Sequence, residues 1–251
     1  MKTERLEERM RKAKEAIRRR QEEGYNRKDD SGMFKTIYKP EIRREHFFKC
    51  TEGEHSGDFI PYIAGKFDPF TKEGEETYCC DLWVHTNVGP NRDSYICLER
   101  NYKKPCSECD YLAELRSLPP SEQDAEKIKS ISPTRRVIYN FHCLDTSQTA
   151  AMGVLLFEVS HFLFEKVLQE SAKKKGGLKI YFADPTEEGK TVTFVRKGMG
   201  LLNTSFVPFT FEDRGKPISE SILKQARCID ELLHIPTYEE VYEARFGRTK
   251  S

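Results

Sequence analysis

The sequence predicts a β-rich α+β fold: a small curved barrel carrying one inserted segment, with helical extensions at both ends. Three observations carry this expectation. Short runs rich in β-branched and aromatic residues recur over residues 33–39, 45–50, 58–65, 78–85 and 132–145, divided by Gly, Pro and acidic turns. These runs do not alternate regularly with helices, which argues against a parallel βαβ sheet. Helical patterns with recognisable start and stop residues lie mainly at the two ends of the chain. Five or more short strands interrupted by a helix match an OB-fold barrel, a count that other small barrels share.

Residues 1–23 are predicted to form a helix. Leu6, Met10, Ala13 and Ile17 recur at helical spacing and draw a narrow apolar seam on an otherwise charged rod. So thin a stripe does not support a domain, but it suits docking on a second copy of the chain or a basic arm laid on phosphates. Gly24 and the polar run after it close the helix as a linker, so residues 1–32 are expected to form an arm.

The barrel is expected over residues 33–215, with the insertion at about 83–130. Two short helices are predicted over 109–118 and 121–130, the second beginning at Ser121 after Pro119 and Pro120. In 132–145, Val137, Tyr139 and Phe141 alternate with Ile138, Asn140 and His142, giving a strand with one aromatic face. A strand over 153–160 leads into a helix capped by Ser160 and stopped by the basic, Gly-ending run before Leu178. Residues 178–185 and 190–198 are expected to pair as a hairpin, followed by a last strand over 202–213. The extension at 216–251 is predicted helical over 219–233 and again after Thr237, with Glu240 completing a capping box.

Within the insertion, Cys106 and Cys109 form a C-x-x-C pair, a spacing that turns two thiolates toward one tetrahedral ion. Cys97 and His85 precede it across a turn-rich loop and complete a Cys3His set. Four protein ligands leave no position for a water, so a single Zn2+ held here would be structural. Cys79 and Cys80 lie close enough in sequence to compete with His85 for the fourth position. The Pro-Cys-x-x-Cys string also fits half of the zinc deaminase signature, but none of the six histidines is followed by x-Glu, so the proton shuttle is missing. No phosphate loop or nucleophile elbow is present either, and no enzymatic activity is expected.

Bulk properties narrow the remaining classes. A chain of 251 residues supports one good core with appended arms. The N-terminus is charged from its second residue, so no secretory signal is expected, and no apolar run approaches membrane-spanning length. Eight cysteines without an export signal suit a reduced cytoplasm and metal or packing roles. The net charge is only +1, but residues 1–50 hold 16 Lys and Arg against 10 Asp and Glu. A local basic footprint therefore hides in a neutral total.

The order of His85, Cys97 and Pro-Cys-x-x-Cys, then the basic strand RRVIYNFHCLD, the Gly-led strand GVLLFEVS and a capped helix, resembles the T-even phage helix-destabilising single-stranded DNA-binding proteins and their relatives in other tailed phages. The resemblance spans about residues 34–215 and is strongest over 83–145. It implies an OB-fold with an inserted zinc subdomain, and His85, Cys97, Cys106 and Cys109 as ligands. It further implies single-stranded DNA held in the cleft between the two, roles in phage replication, recombination and repair, and a place in the host cytoplasm. Self-association through the basic N-terminal helix and contacts with replication and recombination proteins follow from the same resemblance. Two departures stand out: the basic N-terminal helix is longer, and the chain ends in a mixed-charge helical segment where those proteins carry an acidic tail.

Binding of this kind uses cations on phosphates and aromatic faces on unpaired bases, and is indifferent to sequence. The expected phosphate contacts are Arg43, Arg44, Lys103, Lys104, Arg135 and Arg136. The expected stacking residues are Phe48, Tyr102, Tyr139 and Phe141. A zinc-stabilised RNA-binding or transcription-regulating protein would use the same surface, and a protein-interaction module would use the metal knuckle without nucleic acid.

Overall fold

The computed structural model describes residues 37–174, 178–198 and 204–247. The N-terminal helix and linker expected over residues 1–32, and most of the strand expected from Met33, lie outside them.

A 3-10 turn (Arg44–His46) opens the described chain, followed by β1 (Gly53–Ile60) and β2 (Tyr62–Ile63). β3 (Glu76–Thr77) and β2 form a small two-stranded sheet. β4 (Cys79–Val88) and β5 (Asp93–Ile96) lead into the insertion, which holds helices α1 (Leu98–Tyr102), α2 (Ser107–Ser117) and α3 (Ala125–Ile131). β6 (Thr134–Cys143), α4 (Ser147–Ala151) and β7 (Val154–Ser160) follow, then a π-helical turn (His161–Glu165) continuing into α5 (Lys166–Ser171). β8 (Lys190–Lys197), β9 (Ser205–Asp213), α6 (Glu220–Leu223), a 3-10 turn (Ile229–Leu232) and α7 (Tyr238–Phe246) complete the order.

The main sheet is antiparallel throughout, ordered β5-β4-β6-β1-β8-β9 with β7 on the other edge of β6. The expectation of an OB-fold barrel holds only in its coarser part. The seven strands form a mixed α+β, β-rich structure whose sheet does not close among the described residues. β4 pairs with Thr134–Tyr139 of β6 and β1 with Asn140–Cys143, end to end along one edge. β1 then passes from β6 to β8 at Gly57, which is paired with both Cys143 and Val192. A Cβ there would lie 2.5 Å from the His142 carbonyl oxygen and from the Phe141 ring, so the handover requires glycine.

β6 is buried on both faces through its middle, Val137 to Phe141. Val137, Tyr139 and Phe141 join Phe59, Phe157, Phe164 and Phe194 in an aromatic core, where ring centroids such as Phe59 to Tyr139 stand 4.8 Å apart. Ile138 faces the opposite way, into a second core with Leu82, Val84, Leu156 and Leu233.

Four local expectations fail for traceable reasons. Residues 178–185 make no strand. Lys179 forms a single bridge to Lys173, while β8 pairs with β1 and β9 and so has both edges filled. Residues 45–50 form a 3-10 turn and one bridge from Phe47 to Leu156, since the segment runs along the rim of the sheet and not within it. The helix expected over 219–233 is split. Buried Asn140 accepts from the Arg227 N–H at 3.1 Å and donates to its carbonyl at 2.9 Å, replacing the bonds a continuing helix would make. The helix expected from Ser121 begins later, capped by Asp124, whose carboxylate accepts from the Lys127 N–H.

Candidate metal centre and adjoining surface

The insertion is built so that four separate backbone signals converge. β4 carries His85 just before the bend into β5, where Asn87 and Gly89 adopt positive φ. Cys97 follows β5 and is the N-cap of α1, its sulfur accepting from the Arg100 N–H at 3.4 Å. α1 stops at Lys103 in the left-handed region, and Pro105 then leads to Cys106, the N-cap of α2, with Cys109 in the first turn. Helix N-termini favour anionic sulfur, so both caps support thiolates.

The ligand atoms of His85, Cys97, Cys106 and Cys109 all lie within 4.8 Å of one another. His85 Nε2 is 3.5 Å from the Cys106 and Cys109 sulfurs, and the Cys97 and Cys109 sulfurs are 3.5 Å apart. Tetrahedral bonds of about 2.3 Å to sulfur and about 2.0 Å to nitrogen place neighbouring ligand atoms roughly 3.5–3.8 Å apart, so the set fits one metal ion and is compatible with structural zinc. His85 Nδ1 lies 3.0 Å from the Ile131 carbonyl, which fixes the tautomer that turns the Nε2 lone pair toward the sulfurs. Burial opposes a charged His85, but hydrogen bonds to Cys106 and Cys97 outweigh it and push its pKa up to about 10. Hydrogen bonds from Cys109 and Cys97 hold the Cys106 thiol far below the usual range, while the Cys109 thiol is raised by its bond to Cys106. The protons shared in this way are those a metal ion would replace.

The structure brings His85, and neither Cys79 nor Cys80, into this cluster. Cys80 is buried in the second core, Cys79 packs against the aromatic core, and burial raises both thiols.

The C-terminal helix is part of this module. Arg245 of α7 reaches Glu108, between the two cysteines of the C-x-x-C pair, with Nε to Oε1 at 2.7 Å and Nη2 to Oε2 at 2.5 Å. Tyr238 donates to Asp110 at 2.9 Å, Phe246 packs edge-on against Tyr111, and Val241 is buried with Val88 and Tyr95.

The residues expected to touch nucleic acid separate into three groups. Arg43 and Arg44 are exposed at the 3-10 turn (Arg44–His46), and Lys103 and Lys104 are exposed on the knuckle. Arg135 and Arg136 alternate on β6, so they face opposite ways, and carboxylates hold both: Asp81 for Arg135, Glu158 for Arg136. Phe48 and Arg136 meet Arg196 in an open cleft of about 350 Å³ at the edge of β7. Tyr102 is half-buried and donates to the Phe67 carbonyl at 3.0 Å. The stacking role expected of Tyr139 and Phe141 is corrected: both are 0 % exposed. Neighbouring rings cover their faces, and the Tyr139 hydroxyl donates to buried Glu165.

Other aromatic side chains are exposed. Phe70 and Phe162 are 55 % and 61 % exposed, although large apolar side chains are usually drawn inside. Arg135 stands 5.5 Å from the Phe70 ring centroid, Lys166 5.5 Å from that of Phe162, and Arg100 4.4 Å from that of Trp83. Trp83 is opposite Arg135 in the β4–β6 register, and Asp81 links Arg135 to His161, the neighbour of Phe162. Each of these three rings thus carries one cation, Phe70 and Phe162 being exposed and Trp83 half-buried against the metal knuckle.

The segments that carry Phe70 and Trp83 are held stiffly. The Asp230 carboxylate, fully buried, accepts from the Gly65 and Phe67 N–H groups at 2.9 Å each, and Asp68 accepts from Phe70 and Thr71. Asn101 brackets Trp83 from both sides, accepting from its N–H at 3.0 Å and donating to its carbonyl at 2.8 Å. Sequence reasoning did not single out the ring–cation pairs formed by Phe70, Trp83, Arg100, Phe162 and Lys166. The available signal was the lone Trp on a strand and a Phe two residues after a helix cap.

No helix among the described residues is long and apolar enough to cross a membrane. Neither protein-family models nor curated proteins give a match to this chain.

Proposed function

We propose that the chain binds single-stranded DNA without sequence preference, on a surface braced by one structural zinc ion. The observation that carries this reading is the pairing of Phe70, Trp83 and Phe162 with Arg135, Arg100 and Lys166, two of the three rings being exposed. Exposed rings stack on unpaired bases, cations between them neutralise the backbone, and a paired duplex offers no free base face to such rings. Preferential binding of the unpaired form would shift the melting equilibrium of a duplex toward single strands. Zinc in the His85, Cys97, Cys106 and Cys109 set would fix β4 to α1 and α2, and so hold Trp83 and Arg100 in place. The exposed Lys103 and Lys104 extend the basic surface on the knuckle.

The resemblance to phage helix-destabilising proteins supports the same reading and adds the expectation of work in phage DNA replication, recombination and repair. The test is a fluorescence-anisotropy titration with an oligonucleotide, its duplex and the matching RNA over a salt series, with metal content determined on the same sample. The expected result is tight, salt-sensitive binding to the DNA single strand and about one zinc per chain. Binding confined to RNA would move the assignment to RNA recognition, and zinc without any polynucleotide binding would leave a protein-interaction module.

A further inference from the structure

Arg135 lies within the aromatic and cationic surface, yet its guanidinium is already engaged. Nε donates to Asp81 Oδ1 at 3.1 Å and Nη2 to Oδ2 at 3.0 Å, the two-point geometry by which arginine holds a carboxylate or a phosphate. His161 Nδ1 lies 2.9 Å from the same Oδ1, so Asp81 is fastened from two elements, β6 and the turn after β7. Asp81 is a half-buried acid on β4, one of the strands that form this surface, where a polyanion would meet its negative charge.

We propose that the Asp81 carboxylate is an internal competitor for the phosphate position on Arg135, displaced when a single strand engages the surface. The inference rests on the binding function proposed above and adds its regulation. A carboxylate and a phosphate present matching pairs of oxygens to the guanidinium edge, so they exclude one another there. In the free protein the pair keeps Arg135 beside Phe70 and removes an open cation from the surface. Bound strand must exchange one ion pair for another, which weakens binding and favours ligands that also supply bases for Phe70, Trp83 and Phe162. Isolated phosphates and duplex backbones lack that compensation.

The test is the Asp81→Asn variant, titrated with a short oligo-dT across a salt series beside the wild type, with circular dichroism to establish that it is folded. Tighter binding, by about five- to tenfold at low salt, is expected with an unchanged log–log salt slope, because Arg135 meets the same phosphate in both complexes. In an Arg135→Gln background the same substitution is expected to change affinity less than about twofold. Unchanged or weaker binding by Asp81→Asn overturns the inference. So does an equal gain in the Arg135→Gln background, which would mean general relief of negative charge. On wild-type protein, the Arg135 Nε–Hε resonance should move as oligo-dT saturates, and an unmoved resonance overturns the inference even where the variant fails to fold. Failure of the wild type to bind any oligonucleotide overturns the function itself, an outcome separate from wild-type binding with an unresponsive Asp81→Asn.

Discussion

Arg245 and Glu108 stand 137 residues apart in the chain, yet they form a two-point ion pair in which the Glu108 side chain is wholly buried. Glu108 lies between Cys106 and Cys109, so the last described helix closes directly over the proposed metal knuckle. The segment at the end of the chain is thereby a structural part of the metal module.

Arg245→Ala leaves that buried carboxylate without its partner. A loss of about 3–5 kcal/mol is expected, because the uncompensated charge stays in a low-dielectric site. Thermal denaturation of the zinc-loaded protein measures it, and faster loss of zinc to a chelator should accompany the lower melting temperature.

Zinc affinity should fall as pH is lowered. The metal-bound set holds thiolates and a neutral imidazole, so it binds fewer protons than the metal-free set, and acid favours release. A chelator competition between about pH 7.5 and about pH 5.5 should show monotonic weakening. Cys106→Ser should lower both metal content and the stability of the insertion, and unchanged values in that variant would remove the zinc assignment.

Phe162→Ala and Phe164→Ala should separate binding from packing. Phe162 is largely exposed, so its removal should change stability by no more than about 0.5 kcal/mol while weakening single-strand binding by about 1–3 kcal/mol. Phe164 is buried against Phe157, Phe194, Phe206 and Phe209, and its truncation should cost about 3–5 kcal/mol of stability. Chemical denaturation and anisotropy on both variants test the pair.

Gly89→Ala should destabilise the same module from its other side. Gly89 has φ +67, and a Cβ there would come within 1.9 Å of the Ala244 carbonyl oxygen on α7. Backbone strain and the clash together should cost about 2–4 kcal/mol, read as a lowered melting temperature.

The metal ligand set was legible because it is a matter of spacing: a C-x-x-C pair, a preceding Cys and His, and turn residues between them act over short stretches of chain. β6, β7 and β9 were legible in the same way, from alternation and β-branched content, as was α7, whose Thr237 cap accepts from the Glu240 N–H at 3.1 Å.

Exposure and pairing were decided elsewhere. Alternation showed that Tyr139 and Phe141 share a face, but only the packing of Phe59, Phe157 and Phe164 determined that the face is interior. Phe70 is exposed because Asp230, far along the chain, holds its loop across the surface. The break in the expected helix over 219–233 comes from Asn140 on a strand, and the cover on the knuckle comes from Arg245. The sequence by itself determined the four-residue His/Cys set and the strands β6, β7 and β9. Tertiary structure decided which aromatics remain outside, that the sheet stays open, and what the C-terminal helix covers, because burial depends on which distant segments compete for each face.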